Sequence, residues 1–381
     1  MDLVSFNLLY SVYSLPNILF PLFGGILIDY LGVRTVLVVC SVLIVMGQSL
    51  FLMGVANKSF YLALIGRGLI GCGGENLDLG QSIIVLRWFT GKELAMAFGL
   101  TSMSSLIGSV INDNIEPLIV ENYGLNIGLS VGVVICSLSL LTTFFVIKVD
   151  NSREFIIQEQ ESQNFKLKYI YEFNKIFLLL MVNTVCMECS IYCFSYIASG
   201  FLQDRFNYTS VEAGSIMSVS FFVSAFLSPL FGVIADKIGK RGIMMIIANG
   251  LILLFHLFCM FCDDNTETPT ILTAFIGLGI GFAIYTTIFW TSLSYVVKKE
   301  VVGTAYGVSY SLGNIALVIT PIMTGLIHEN TELNKGYFWV NSFLALLAAI
   351  GMLSAYIVYK LDIKGEGILH KQVPTELNTR S

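Results

Sequence analysis

One apolar stretch, residues 60–86, holds much of the charge that this chain places inside hydrophobic sequence. Arg67, Gly71, Gly74 and Asp78 recur at i, i+4, i+7 and i+11, which is one stripe of a helix. Glu75 lies beside that stripe, about 12 Å of helix rise from Arg67. A guanidinium and two carboxylates so placed could hold both ends of a small zwitterion, and the glycines would let neighbouring helices come close. The competing reading is an internal pair of Arg67 with an acid that only ties helices together. A third acid, Glu188, lies mid-way along another apolar stretch, with Asn183 and Tyr192 nearby. A carboxylate at such a place is costly unless it meets a cavity or a partner, so it is a candidate for binding cargo or carrying a proton. Tyr285, Trp290 and Asn314 are second-half groups suited to the same cavity, with ordinary packing as the alternative. Asp113 and Glu116 read as solvated rim groups, with proton sites as the alternative, and His256 as a packing residue.

Nothing in the chain reads as an enzyme. There is no metal-ligand spacing, no nucleophile with a base and no phosphate loop. The run from Gly66 to Gly74 lies inside an apolar stretch and lacks the lysine of an ATP loop. No cofactor, metal or nucleic-acid partner is expected, and any transport is expected to run on gradients of substrate or ions. The eight cysteines lie within or at the ends of apolar stretches, where disulfides are not expected. Cys259-x-x-Cys262 matches a redox or metal pair in spacing only; small apolar packing residues are the favoured reading.

The elements that must position these groups are membrane spans. The chain is 55% hydrophobic and 12% charged, against about 25% charged for a soluble domain. Stretches long enough to cross a bilayer, roughly 20 residues each, fall near 4–28, 34–54, 60–86, 94–117, 124–147, 173–200, 211–235, 242–262, 269–297, 302–327 and 337–359. In lipid the backbone must satisfy itself, so these are helices. Of the 21 Lys and Arg, Lys58, Arg205 and Lys335 lie in one set of connections and Arg67 within a span; the rest share the other set. By the positive-inside rule the basic set is cytoplasmic. Both glycosylation sequons, at Asn57 and Asn207, fall on the opposite side. Asn57 lies close to the membrane, so Asn207 is the better acceptor. This places Met1 on the lumenal or outer side, with no basic segment of the kind that begins a signal peptide.

A short signal occurs twice. Gly25-x-x-x-Asp29-x-x-Gly32-x-Arg34 returns as Gly232-x-x-x-Asp236-Lys237-x-Gly239-Lys240-Arg241, 207 residues later. Ala97-Phe-Gly99-Leu-Thr101 returns as Ala305-Tyr-Gly307-Val-Ser309, and Gly71-Cys-Gly73 as Gly279-Ile-Gly281, both 208 residues later. Parallel repeats of this kind describe transporters built from two pseudo-symmetric six-helix halves. The expected domains are therefore an N-terminal bundle over 1–147, a cytoplasmic linker over 148–172, a six-helix bundle over 173–359 and a polar, disordered cytoplasmic tail over 360–381. Only 28 residues precede Asp29, while 63, counted from residue 173, precede Asp236 in the second half. The expectation is an all-α polytopic protein with eleven of twelve helices, the first helix of the first half being absent; a truncated gene model is the favoured cause and a degenerate protein the alternative.

The doubled turn resembles the loop signature of the major facilitator superfamily, and Arg67-Gly-Leu-Ile-Gly71 is similar to that superfamily's fourth-helix R-x-x-x-G. Longer strings are similar to its lysosomal dipeptide-transporter branch, the family of major facilitator superfamily domain-containing protein one. They are Tyr10-Ser-Val-Tyr13-Ser-Leu-Pro16-Asn17, Gly73-Gly74-Glu75, Trp88-Phe-Thr-Gly91-Lys92-Glu93-Leu94 and Gly303-Thr-Ala-Tyr-Gly307. The resemblance implies a lysosome-like or vacuolar membrane, with the plasma membrane as the alternative. It also implies small-peptide cargo, facilitated uniport by rocker-switch alternating access, and a glycosylated single-pass accessory subunit. It makes Asp29, Arg34, Asp236, Lys240 and Arg241 gate latches rather than binding groups. The sequence departs from the family pattern at Leu106, where an arginine is usual, and at Glu188. Proton-coupled symport of another small organic solute, and a non-transporting receptor or scaffold, are the alternative functions.

Overall fold

A computed structural model of the chain describes residues 9, 12–89, 93–154, 173–262, 266–333 and 336–372. Eleven long helices occupy the positions read from hydropathy. They are α1 (Pro16–Leu31), α2 (Val33–Ala56), α3 (Phe60–Trp88), α4 (Leu94–Tyr123), α5 (Leu125–Glu154), α6 (Lys175–Phe206), α7 (Ser210–Ile238), α8 (Arg241–Phe261), α9 (Thr268–Val296), α10 (Val302–Glu329) and α11 (Tyr337–Lys364). No strand occurs among the described residues. Ten spans, one of them beginning at Val12 ahead of α1, are long and apolar enough to cross a membrane. The helix that falls short is α3, because Arg67, Glu75, Asp78 and Arg87 all lie in it.

Local chemistry explains the breaks. Gly32 and Gly239 adopt φ of 85° and 69°, a region that costs a residue with a Cβ about 1 kcal/mol or more, so each ends its helix after the repeated Asp. Asn174 caps α6 by accepting from the Phe177 N–H at 2.8 Å. A reciprocal pair between Thr209 and Glu212 opens α7. Helix α5 runs on to Glu154, so the first seven residues of the expected 148–172 linker are helical; residues 155–172 lie outside the described residues.

Two compact units emerge. One comprises Met1–Ile84, Ile111–Glu172 and Lys298–Asn314; the other comprises Val85–Val110, Phe173–Val297 and Ile315–Ser381. In the first, α2 packs on α5 and on α1. The start of α10 belongs to this unit although it comes from the second sequence half. In the second unit α8 packs on α11 and α9, α7 on α9, and α6 on α11. Buried polar groups fix those contacts. The Asn183 amide of α6 donates to Gly351 O of α11 at 2.8 Å and reaches Asn249 Oδ1 of α8 at 3.2 Å. Asn183 thus turns to α8 and α11. His256 is fully buried, with Nδ1 3.3 Å from Asn341 Oδ1 and its ring against Phe194 and Phe255.

Residues 360–372 differ from the expectation of a disordered tail, while 373–381 lie outside the described residues. Beyond α11 the chain turns through Gly365 and Gly367 and lies against the turn before α8 as far as residue 372. Leu369 is fully buried there. The cause is a carboxylate that composition hides: Asp362 accepts from the backbone N–H groups of Leu369 and His370 at 3.1 and 2.9 Å.

Replacing Asn183 by Ala leaves Gly351 O and Asn249 Oδ1 without that donor inside a three-helix contact. The expected loss is about 1 kcal/mol, read as a lower unfolding midpoint of the purified protein. A midpoint equal to that of the unsubstituted chain would show that the amide does not tie α6 to its neighbours.

Candidate functional site

The two repeated turns meet the other repeated string, each in the opposite half of the sequence. Asp29, at the end of α1, accepts from Gly303 N–H at 2.9 Å and from Thr304 N–H and Oγ1 at 2.6 Å each. Asp236, at the end of α7, accepts from Ala95 N–H at 3.1 Å and Met96 N–H at 2.9 Å. These four amides are the second and third residues of α10 and α4. They are orphan donors at helix N-termini, which a capping side chain would normally satisfy. Each aspartate is therefore the N-cap of a helix from the other sequence half, placed where the helix dipole favours a negative charge.

Glycine makes the approach possible. A Cβ on Gly25 would meet Gly303 O, and one on Gly307 would meet Pro21 O. In the other copy a Cβ on Gly232 would lie 2.5 Å from Ala95 O, and one on Gly99 2.5 Å from Ser228 O. The repeat thus records a contact: Gly25 and Asp29 sit on Gly303 and Gly307 as Gly232 and Asp236 sit on Ala95 and Gly99.

The basic residues beside the aspartates part company. Arg34 Nε bonds Asp150 Oδ2 of α5 at 2.6 Å. Arg241 is fully buried, with Nη2 3.5 Å from Asp236 Oδ1 and its guanidinium 4.8 Å from the Tyr295 ring centroid. Lys240 is exposed, with φ of 49°.

In the first unit the acids of α3 find partners on α10. The Tyr310 hydroxyl donates to Asp78 Oδ2, and the Asn314 side chain lies close to Glu75. Asn314 is itself held by its amide, which donates to Tyr310 O at 2.9 Å. Asp78 is exposed and Glu75 half-buried, and the two like charges lie in each other's field. Tyr13 passes over this stripe: a Cβ on Gly71 would meet its carbonyl oxygen, and one on Gly74 would lie 3.5 Å from its hydroxyl. That tyrosine feels both Glu75 and Arg67. Arg67 stacks its guanidinium 4.3 Å from the Phe51 ring centroid, a contact of about 0.5–2 kcal/mol.

In the second unit Glu188 ends a hydroxyl chain. Tyr285, fully surrounded at 3% exposure, donates to Thr184 Oγ1 at 2.8 Å, and Thr184 donates to Glu188 Oε1 at 3.2 Å. Tyr192 packs edge-on against Phe282, and Trp290 against Phe289, which stacks on Tyr285.

Sequence reading missed Tyr13, Thr184, Tyr310, Asp150 and Asp362. Tyr13 and Tyr310 stood inside or beside strings already noted, but their spacing follows no helix stripe with Glu75, since the contact joins distant segments. Asn57 and Asn207 are exposed. Asn207 has φ of 56° at the end of α6, while the Asn57 amide donates back to Met53 O at 2.9 Å. Glu116 is exposed; the Asp113 side chain lies outside the described residues.

A family model described as Major Facilitator Superfamily matches residues 1–319 and 180–372. The human lysosomal dipeptide transporter MFSD1 is 31% identical over 376 residues, covering 95% of this chain and 79% of that protein. Among solved structures, a bacterial homologue of the iron transporter ferroportin in an outward-facing state, soaked with iron, superposes with a TM-score of 0.76 at 11% identity, covering 94% of this chain and 90% of that one. The transporter FucP in its outward conformation gives 0.73 at 15% identity, covering 94% and 91%. At these identities the solved structures establish the fold.

Changing Asp29 to Asn, or Asp236 to Asn, keeps the shape but turns an NH2 toward one of the two backbone donors. Hydrogen–deuterium exchange should speed by about tenfold or more at residues 303–304 in the first variant and at 95–96 in the second. Unchanged exchange at the matching pair would remove the capping role.

Proposed function

The chain belongs to the Major Facilitator Superfamily and is a multi-pass membrane transporter, and on that premise we propose that it moves dipeptide-like zwitterions across a lysosome-like membrane by facilitated uniport. One observation carries this reading. The first half of α10 serves both the latch and the acids: Gly303 and Thr304 hold Asp29, Tyr310 donates to Asp78, and Asn314 lies close to Glu75. Thr304 and Tyr310 are about 9 Å apart along one rigid helix. A motion that takes α10 from Asp29 also takes its hydroxyl and amide from the two acids. The affinity of those acids for a cargo ammonium then changes with the gate, which is what alternating access requires.

In this mechanism Glu75, with Asp78 beside it, receives the ammonium group of the peptide. Arg67, already stacked on Phe51, offers the positive charge for the carboxylate. Asp29 and Asp236 release their helix amides in the cytoplasm-open state and recapture them on return, while Arg34, Lys240 and Arg241 support the two turns. The lysosomal placement is supported by the name of the human relative, and Asn207, exposed in a left-handed position, is the proposed glycan carrier.

A second reading, proton-coupled movement of another organic solute, is favoured by the Tyr285–Thr184–Glu188 chain. A carboxylate at the end of two hydroxyls can take up and release a proton along it. Uptake of labelled dipeptides into proteoliposomes, with and without a pH gradient, separates the two. Glu75→Gln should lower uptake by about tenfold or more, the loss expected when a charged partner goes. Under uniport, Glu188→Gln leaves uptake without a gradient unchanged; under proton coupling it abolishes stimulation by an acidic lumen. Wild-type uptake by both variants would sink these site roles. In cells, Asn207→Gln should remove a glycosidase-sensitive mass difference that Asn57→Gln leaves in place; the reverse result would move the glycan to Asn57.

A further inference from the structure

Helix α8 begins without a side-chain cap. Its flanking residue is Lys240, which sits in the left-handed region at φ 49° and contributes no capping hydrogen bond. That conformation costs a bulky residue about 1–2 kcal/mol, and it persists only where surroundings hold it. Here the surroundings are the tail. Lys240 N–H donates to His370 O at 3.1 Å, and Arg241 N–H donates to Leu369 O at 2.9 Å. Two carbonyls from residues 369–370 thus do the work of the missing cap. The fit is close: a Cβ on Gly239 would lie 2.7 Å from Lys371 O and 2.9 Å from His370 O.

The tail is itself held from behind. Asp362 is buried at 4% exposure at the end of α11, and its two oxygens accept the N–H groups of Leu369 and His370. Its own carbonyl accepts from Gly367 N–H at 2.9 Å, and the Gln372 side chain donates to Lys237 O. The first half shows what this replaces. There α5 reaches its turn directly, through the Arg34–Asp150 ion pair. In the second half the arginine of the turn faces inward to Asp236, and residues 365–372 add backbone hydrogen bonds at the turn to the direct packing of Tyr359 of α11 on Gly242.

We propose that residues 365–372, anchored by Asp362, are a positioning element for the second gate latch, fixing the start of α8 so that Arg241 stays beside Asp236 while Asp236 holds the amides of Ala95 and Met96. This rests on the latch role given to Asp236 above. When the strap lets go, the first turn of α8 loses its cap, Arg241 loses its fixed origin, and Asp236 holds α4 less firmly.

Amide exchange in the purified full-length chain, reconstituted in lipid nanodiscs, tests it. Asp362→Asn should speed exchange at 95–96 by about tenfold, while 303–304, held by Asp29, stays within about twofold. Gly239→Ala, which drives a methyl group into the strap, should do the same, as should a chain ending at Lys364. A chain ending at Gln372 should match wild type. The variants are independent, so one that fails to fold leaves the others to decide. Wild-type exchange at 95–96 in those that fold overturns the proposal, as does equal acceleration at both pairs, which would mean general loosening. Acceleration in the chain ending at Gln372 overturns the assignment to 365–372. Asp236→Asn separates the two readings. If it speeds 95–96 and the strap variants do not, the latch stands and the strap falls. If it does not, the latch reading itself has failed.

Discussion

The structure depends on one arrangement used twice: a carboxylate at the end of a spanning helix acting as N-cap to a helix from the other half of the chain. A helix start in a membrane protein has orphan N–H groups that lipid cannot satisfy. A carboxylate in the same setting needs donors. Asp29 with Gly303 and Thr304, and Asp236 with Ala95 and Met96, solve both problems in one contact. The geometry demands that two backbones approach within side-chain-free distance, which is why Gly25, Gly232, Gly303 and Gly307 stand where they do.

The charges of α3 follow from the same arrangement. That helix is the least membrane-like of the eleven because it carries two acids and two arginines. Its acids are tolerable because α10 brings Tyr310 and Asn314 to them, and α10 is fixed in that unit by its capped start. The residue that donates to Asp78 and the amides that Asp29 caps lie on one helix.

The spans, the helical class and the doubled turn were legible from the chain, because bilayer thickness imposes a length and a polarity that single sequences display. The repeat offset even held the contact in coded form, since both partners of each latch recur with nearly the same spacing. What could not be read was that the copies pair crosswise, because an offset says which segments are alike and nothing about which touch. The stripe of α3 was legible as a helical period, but its partners Tyr13 and Tyr310 come from remote segments and obey no period. Glu188 was seen as a lone deep acid; its hydroxyl chain through Thr184 to Tyr285 required the packing of α6 on α9. The tail was misread because residues 365–372 are polar and rich in turn formers. Their order comes from one carboxylate, Asp362, at the end of the preceding helix.

The two carboxylate-to-helix contacts are alike in geometry and unlike in support, and the difference has physical weight. The first turn is braced by Arg34 and Asp150, a pair in which the arginine side chain keeps 23% of its surface exposed. Such a pair is weakened by salt and contributes modestly. The second turn is braced by backbone hydrogen bonds to a segment whose Leu369 is fully buried, and its arginine is enclosed at 0% exposure with Nε and Nη1 lacking partners. Burial shields that brace from salt but makes it depend on the chain past α11 staying in place. An enclosed guanidinium with unfilled donors is also costly to leave as it is. The second contact therefore rests on enclosed groups and on the chain past α11, and the first on a half-exposed ion pair. Duplication kept the carboxylate-to-helix contact in both halves, and divergence acted on what surrounds it.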